Sequence, residues 1–248
     1  MSDGSDNRAR SRARRALGRG GWIALSPLYY QGKRIKRMRR RCTRTWFMVR
    51  VRLAAMLSRA SVMLDVHPDA DISGGVRLDI WYGTHTSLRV GDGAHLRRDV
   101  LLSLRGGSVS VGAGTDVRRV VTLQVSGHLS IGSGAVVSTG TVIHCAEAVH
   151  IDDLTIIGEY ATIADSAHLR TPPGVPVHHA SRSNPVKIGS NVWIGAHAII
   201  ASGVTVGDQA IVGGGAVVLR DAPAGWLTAG NPARPLRELE ATDTSESR

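Results

Sequence analysis

The chain has 248 residues, 42% hydrophobic but only 4% aromatic, with 29 glycines, one Phe and two cysteines, Cys42 and Cys145. A core with so few rings must be built from Val, Ile, Leu and Ala, which excludes an aromatic-rich sandwich. Two cysteines exclude a disulfide framework or a cysteine-based zinc site. The net charge of +11 is uneven: residues 1–60 hold 17 Lys+Arg and 2 Asp+Glu, and the remaining 14 basic and 18 acidic residues leave the body at −4. The strong positive charge therefore belongs to the N-terminal extension and says nothing about the main domain's ligand. A reducing, cytoplasmic compartment is expected.

Residues 1–20 are mostly Arg, Ser, Gly and Asp. They carry too little apolar surface to offset ordering and are expected to be disordered. An apolar patch, Trp22–Tyr30, precedes the basic run Lys33–Arg41. Residues 44–64 read as an amphipathic helix in which Arg50, Arg52 and Arg59 interrupt an apolar face. Three arginines within about 20 residues exclude a membrane span, and the long basic region with no clean apolar core excludes a secretory signal. Basic clusters beside Trp, Phe and Leu suit an anionic lipid surface, so residues 21–60 are expected either to touch such a membrane or to pack on the domain. Nothing in the body has the pattern of a nucleic-acid module, and no nucleic acid is expected.

From Leu64 onward the sequence repeats. Leu64–Asp69 (LDVHPD), Leu88–Gly93 (LRVGDG), Val109–Gly114 (VSVGAG), Leu129–Gly134 (LSIGSG), Val149–Leu154 (VHIDDL), Val186–Asn191 (VKIGSN) and Val204–Gln209 (VTVGDQ) share one form, with start-to-start spacings of 24, 21, 20, 20, 37 and 18. Eighteen residues make three hexapeptides, each a short strand and a tight corner, and three of them close one triangular coil. Glycine and small residues serve the corners, where positive φ is often needed. The 37 is one coil with an insertion. About seven coils are expected between Ser61 and Arg220. The hairpin turns and strict alternation of an antiparallel sandwich are absent from the regular stretch. Gly213–Gly215 lies within a repeat, without a βαβ unit, and is not a dinucleotide fingerprint.

The run Asn184–Arg234, with its NVWIGA, GVTVGD and GNPAR strings, resembles the hexapeptide-repeat acyltransferases, most of all the sugar and polysaccharide O-acetyltransferases of the maltose/galactoside and colanic-acid types. The weaker repeats extend the resemblance to most of the body, leaving residues 1–60 outside it. It implies an all-β fold: a left-handed parallel β-helix over 61–220, with an excursion loop at 169–184, a basic, partly helical extension over 1–60, and a C-terminal segment and disordered tail over 221–248. It implies a homotrimer that takes acetyl-CoA as donor, needs no metal, and acetylates a hydroxyl of a carbohydrate or glycan, possibly lipid-linked.

The family's catalytic histidine stands where the coil breaks into its extended loop, and His168 holds that position here. A sugar hydroxyl is a poor nucleophile at neutral pH, and an imidazole titrating near neutrality can take its proton as it attacks the thioester carbonyl. Asp165, or a backbone carbonyl, could orient the second ring nitrogen. Backbone N–H groups at a coil corner would meet the oxyanion. His144 could project toward the acceptor cleft from one coil earlier, and His178 and His179 lie within the excursion. For the donor, Ala196, Gly214 and Ala216 match the small residues along the pantetheine arm, Trp193 matches the family's groove tryptophan, and Arg220 and Arg234 could hold the CoA phosphates. His144, His150 and His168 do not reproduce the three-histidine zinc pattern of a β-helix carbonic anhydrase. A different small acceptor, such as an antibiotic or amino-sugar, and a non-catalytic scaffold remain as alternatives.

Overall fold

The structure, a computed structural model, describes Met38 and residues 42–173 and 180–240. The expected disorder of residues 1–20 and 241–248, the patch Trp22–Tyr30, most of the run Lys33–Arg41, and His178 and His179 lie outside the described residues.

Seven coils wind into a three-faced prism, the left-handed parallel β-helix. Face one begins with Ser61–Val66 and face two with Asp71–Ile72; face three begins with Arg77–Ile80. Each face gains one parallel strand per coil. The register follows the sequence spacings. Leu64 pairs with Leu88, Leu88 with Val109, Val109 with Leu129, Leu129 with Val149, and Val149 with Val186 across the insertion. Lys187 then pairs with Thr205. The repeated apolar residues are the inward ones: Leu88, Val109, Leu129, Val149 and Val186 stack as one buried column. Each such side chain contributes about 1.5–3 kcal/mol relative to exposure. Two-residue strands on face two can persist because each one after the first is held by a neighbour on either side.

The corners obey one backbone rule. At the edge between faces one and two a left-handed residue recurs in every coil from the second, including Leu154 (φ 59), Asn191 (φ 54) and Gln209 (φ 58). At the edge between faces two and three it recurs as Asp99, Val120, Gly140, Tyr160, His197 and Gly215. Most N–H groups in the ladder donate to the following coil, as Thr122 does to Thr141. Left-handed residues reverse the direction: Leu154 N–H donates back to the Ser133 carbonyl at 2.9 Å and Tyr160 N–H back to Thr139 at 3.0 Å. That reversal is why non-glycine residues accept an unfavourable conformation there.

Both ends of the prism are closed. Residues 42–57 form a helix, which from Thr43 onward belongs to the same compact unit as the coils. Phe47, Val51 and Ala55, spaced by four, are buried. Arg50 Nη1 donates to the carbonyls of Gly74 and Val76, both at 3.1 Å. The helix ends earlier than the sequence pattern suggests. Ala60 N–H bonds Ala55 O and Arg59 N–H bonds Met56 O, with Arg59 left-handed at φ 47, which is a Schellman stop. Residues 61–64 are instead the first strand. At the far end Trp226–Gly230 and Ala233–Glu238 fold as an antiparallel pair onto face two.

Val120 is β-branched, half exposed and held at φ 61, a conformation that costs a non-glycine residue about 1–2 kcal/mol. Val120→Gly is expected to raise stability by about 0.5–1 kcal/mol after the entropy of the new glycine, read as a higher thermal midpoint. Val121→Gly, at the buried position next door, lowers it.

Candidate active site

The excursion leaves the prism at the edge between faces three and one. It starts earlier than the repeat count suggests: the coil ends at Asp165, and Ser166–His168 already pairs antiparallel with Ser181–Ser183. Ala167 faces Arg182 and His168 faces Ser181. Leu169 N–H donates to Ala180 O at 2.9 Å, which continues the hairpin. His168 is therefore exposed on the outgoing arm, three residues beyond the coil, rather than at the coil's last position.

Asp165 does not take the orienting role expected of it. It is fully buried, at 0% exposure. Its place in the coil follows Leu104, Val125 and Cys145, an inward column on face three. Its carboxylate accepts three backbone N–H groups: Ala146 at 2.7 Å on Oδ1, and Glu147 at 2.7 Å and Ala148 at 2.8 Å on Oδ2. The reason lies one coil lower. There Ser126 and Gly127 N–H donate to the Cys145 carbonyl, and His128 N–H donates to Glu147 O. At the corner 146–148 the following coil has swung out into the excursion and offers no such carbonyls. The Asp165 carboxylate stands in for them. A buried charge is tolerable when hydrogen-bonded in this way.

The same residue gathers the excursion's root. Asp165 N–H donates to His144 O at 3.2 Å, and its carbonyl accepts Asn184 N–H and Ser202 Oγ, both at 2.7 Å. Asn184 is the returning arm, so one residue ties outgoing chain, returning chain and two coils. Beside it, burial first and then the Asp165 carboxylate push the Cys145 thiol up to about 12.

His144 lies on face three one coil before Ala164, half-buried, with its carbonyl on the Asp165 amide. Of the donor-site residues, three come together. Trp193 stands exposed on face two between Ile156 and Ile211. Ala196 and Gly214 meet at the next edge: a Cβ on Gly214 would lie 3.3 Å from Ala196 O, which accepts Gly215 N–H at 2.8 Å. The backbones there are as close as a bare corner allows. Ala216 is corrected: it is 0% exposed and lines the core. It continues an inward column through Ala161 and Ala198, so it cannot wall an outer groove. Arg220 sits at the edge between faces three and one, a full face from Ala196, while Arg234 lies on the closing strand pair over face two, opposite Ala229. His67, Asp69 and Asp92 bring potential ligand atoms within 4.8 Å at the first corner, on the solvent side. No motif in the sequence groups them, and they stand in the first two coils, far from the excursion.

Asp165→Leu keeps an inward side chain of the kind seen at Leu104 but orphans three part-buried N–H groups. It is expected to cost on the order of 3 kcal/mol, a drop of several degrees in thermal midpoint. Asp165→Asn, which retains an acceptor, should fall between the two.

Comparison with known proteins agrees with this geometry. Residues 185–220 match the bacterial transferase hexapeptide (six repeats) family. Galactoside O-acetyltransferase of Escherichia coli (strain K12) is 42% identical over 100 residues, 38% of this chain and 49% of that protein, so the chain spans about half the length of this relative. Nodulation protein L of Rhizobium meliloti (strain 1021) is 41% identical over 136 residues, 54% of this chain and 72% of that protein. AntD, an N-acyltransferase from Bacillus cereus solved with dTDP and coenzyme A, superposes with a TM-score of 0.50 at 17% identity, covering 73% of this chain and 84% of that one, a likeness of fold alone. With more than two thirds of a relative matched at such identity, and the coils, excursion and corner register in place, the chain belongs to the bacterial hexapeptide-repeat transferase family.

Proposed function

We propose that this protein is a CoA-dependent O-acetyltransferase that moves an acetyl group from acetyl-CoA to a hydroxyl of a carbohydrate or glycan. The observation that carries the reading is His168, exposed on a hairpin arm that is anchored at its root to the rigid prism. The sugar acceptor is supported by the name of the galactoside enzyme that shares 42% of its residues with this chain over their common stretch.

In this reading His168 takes the proton of the acceptor hydroxyl as its oxygen attacks the thioester carbonyl. Backbone N–H groups hold the tetrahedral oxyanion. The C–S bond then breaks, and the departing thiolate recovers the proton from the imidazolium, leaving an O-acetyl ester and free CoA. Trp193, Ala196 and Gly214 bound the donor groove, and Arg220 and Arg234 answer the CoA phosphates. His178 and His179 remain candidates for acceptor contact through the excursion. Arg220 lies a face away from Ala196. One groove can therefore use both only if two copies face each other, which favours a homotrimer. The apolar row Val136, Ile156, Trp193 and Ile211 along face two, with Ile156 and Trp193 exposed and the other two half-buried, supports such packing.

The closing helix supports a peripheral location. Among the described residues no helix is long and apolar enough to cross a membrane. The outer side of helix 42–57 exposes Trp46, Val49, Leu53, Met56 and Leu57, a stripe of helical period, and between residues 7 and 64 there is no Asp or Glu. This supports peripheral binding to an anionic, inner membrane face.

Acetyl-CoA turnover followed by thiol release, against a panel of sugars, glycolipids and aminoglycosides, tests the activity. His168→Ala is expected to lower kcat by about 10²–10⁴-fold with acetyl-CoA binding unchanged; undiminished turnover sinks the assignment. For location, sedimentation with phosphatidylserine–phosphatidylcholine vesicles should bind the full chain and weaken with salt. The combined Trp46→Ser, Leu53→Ser and Met56→Ser variant should lose at least about tenfold in partitioning. Equal partitioning of the two proteins would leave the helix as a cap alone.

A further inference from the structure

The edge from which the excursion departs carries a line of side chains running back to the first coil. Trp81 N–H donates to Leu104 O at 3.0 Å, Arg105 N–H to Val125 O at 2.8 Å, Ser126 N–H to Cys145 O at 2.8 Å, and Ala146 N–H to Asp165 Oδ1 at 2.7 Å. Trp81, Arg105, Ser126 and Ala146 thus occupy one edge in successive coils, and the next rung of that edge is the excursion's root. Four steps of about 4.8 Å place Trp81 about 19 Å from the excursion's root.

The far end of this line is unlike the other corners. Trp81 and Tyr82 are both exposed. The Arg105 guanidinium stands 4.1 Å from the Trp81 ring centroid, and that of Arg59 stands 5.8 Å from Tyr82. Arg105 is held in place: Nε donates to Ser103 Oγ at 3.3 Å, and Ser103 Oγ donates to Asp79 Oδ2 at 2.7 Å. Among the described residues Arg105 forms no ion pair, so its charge is positioned but not neutralised. Between this end and the excursion the groups are small or uncharged hydrogen-bonding ones, apart from Glu147 on the last rung. Gln124 and His144 continue the outward row of Ser103 on face three. Across the edge, Ser108 Oγ and His128 Nδ1 lie 2.9 Å apart.

An indole face accepts the C–H side of a pyranose, a guanidinium accepts a carboxylate or sulfate, and amide, imidazole and hydroxyl groups in a row accept sugar hydroxyls. We infer that this edge is a binding track for an acidic oligosaccharide several rings long, whose reacting hydroxyl lies at the excursion and whose anionic portion lies on Trp81 and Arg105. This rests on the carbohydrate-acceptor reading and narrows it to an extended chain. Glu147, exposed on the rung beside the excursion, disfavours an acidic group there and leaves the far end as the anion's place.

The test is calorimetric titration of the full-length protein with oligogalacturonides of graded length, beside maltooligosaccharides of equal length, with thiol-release kinetics on the same series. Affinity for the acidic series should rise with length until the chain spans the four coils. Trp81→Ala should erase that rise, about tenfold at the longest chain, while leaving the shortest sugar and kcat unchanged. Arg105→Gln should weaken the acidic series only, and Trp81→Tyr should retain most of the gain. Length-independent affinity, no binding of the acidic series, or a Trp81→Ala variant that binds the long chain like the wild type overturns the track. Length-dependent binding with no acetyl transfer to any sugar would instead keep the track and remove the acetyl-transfer reading.

Discussion

A parallel ladder requires each coil to present its carbonyls to the amides of the coil before it, and an excursion breaks that supply at one corner. The molecule meets the shortage with a carboxylate. Asp165 occupies an inward place that three earlier coils fill with Leu104, Val125 and Cys145, and it accepts three part-buried amides that would otherwise lack a partner in the ladder. The same residue's main chain fastens the returning arm through Asn184. The hairpin that carries His168 is thus secured by the device that repairs the ladder.

The coil count and register were legible because the inward positions recur in the sequence. The pairing of Leu64 with Leu88 and of Val149 with Val186 follows the written spacings, insertion included. The departure point was not legible. The eighteen residues from Ile151 end at His168, which suggests a coil that runs on past the true exit at Asp165, and an Asp three residues before a His invites a side-chain pairing. The signal was positional: Asp165 falls where every earlier coil is apolar. Ala216 was misplaced for a related reason. A run of glycines beside it reads as a bare outer corner, whereas its place one residue before the strand Val217–Val218 matches Ala161 before Thr162 and Ala198 before Ile199, all buried.

The donor-site residues divide in an informative way. Trp193, Ala196 and Gly214 converge on adjacent coils, while Arg220 and His168 belong to another edge. A linear motif cannot show this, because residues close in sequence are dealt to three different faces every eighteen residues. The solenoid therefore separates in space what the signature joins in sequence, and its functional sites are read by edge.

Stacked coils with a helix at one end and a strand pair at the other also form a ruler. Each coil adds a fixed rung of about 4.8 Å, and interior rungs contact only their neighbours. The reach from the helix cap to the hairpin is therefore set by the number of coils before Asp165. Loss or gain of one in-register unit, such as the twenty residues separating Ser108 from His128, would move the hairpin by one rung without rebuilding either end. Length along the prism is thus a quantity that evolution can adjust in whole steps.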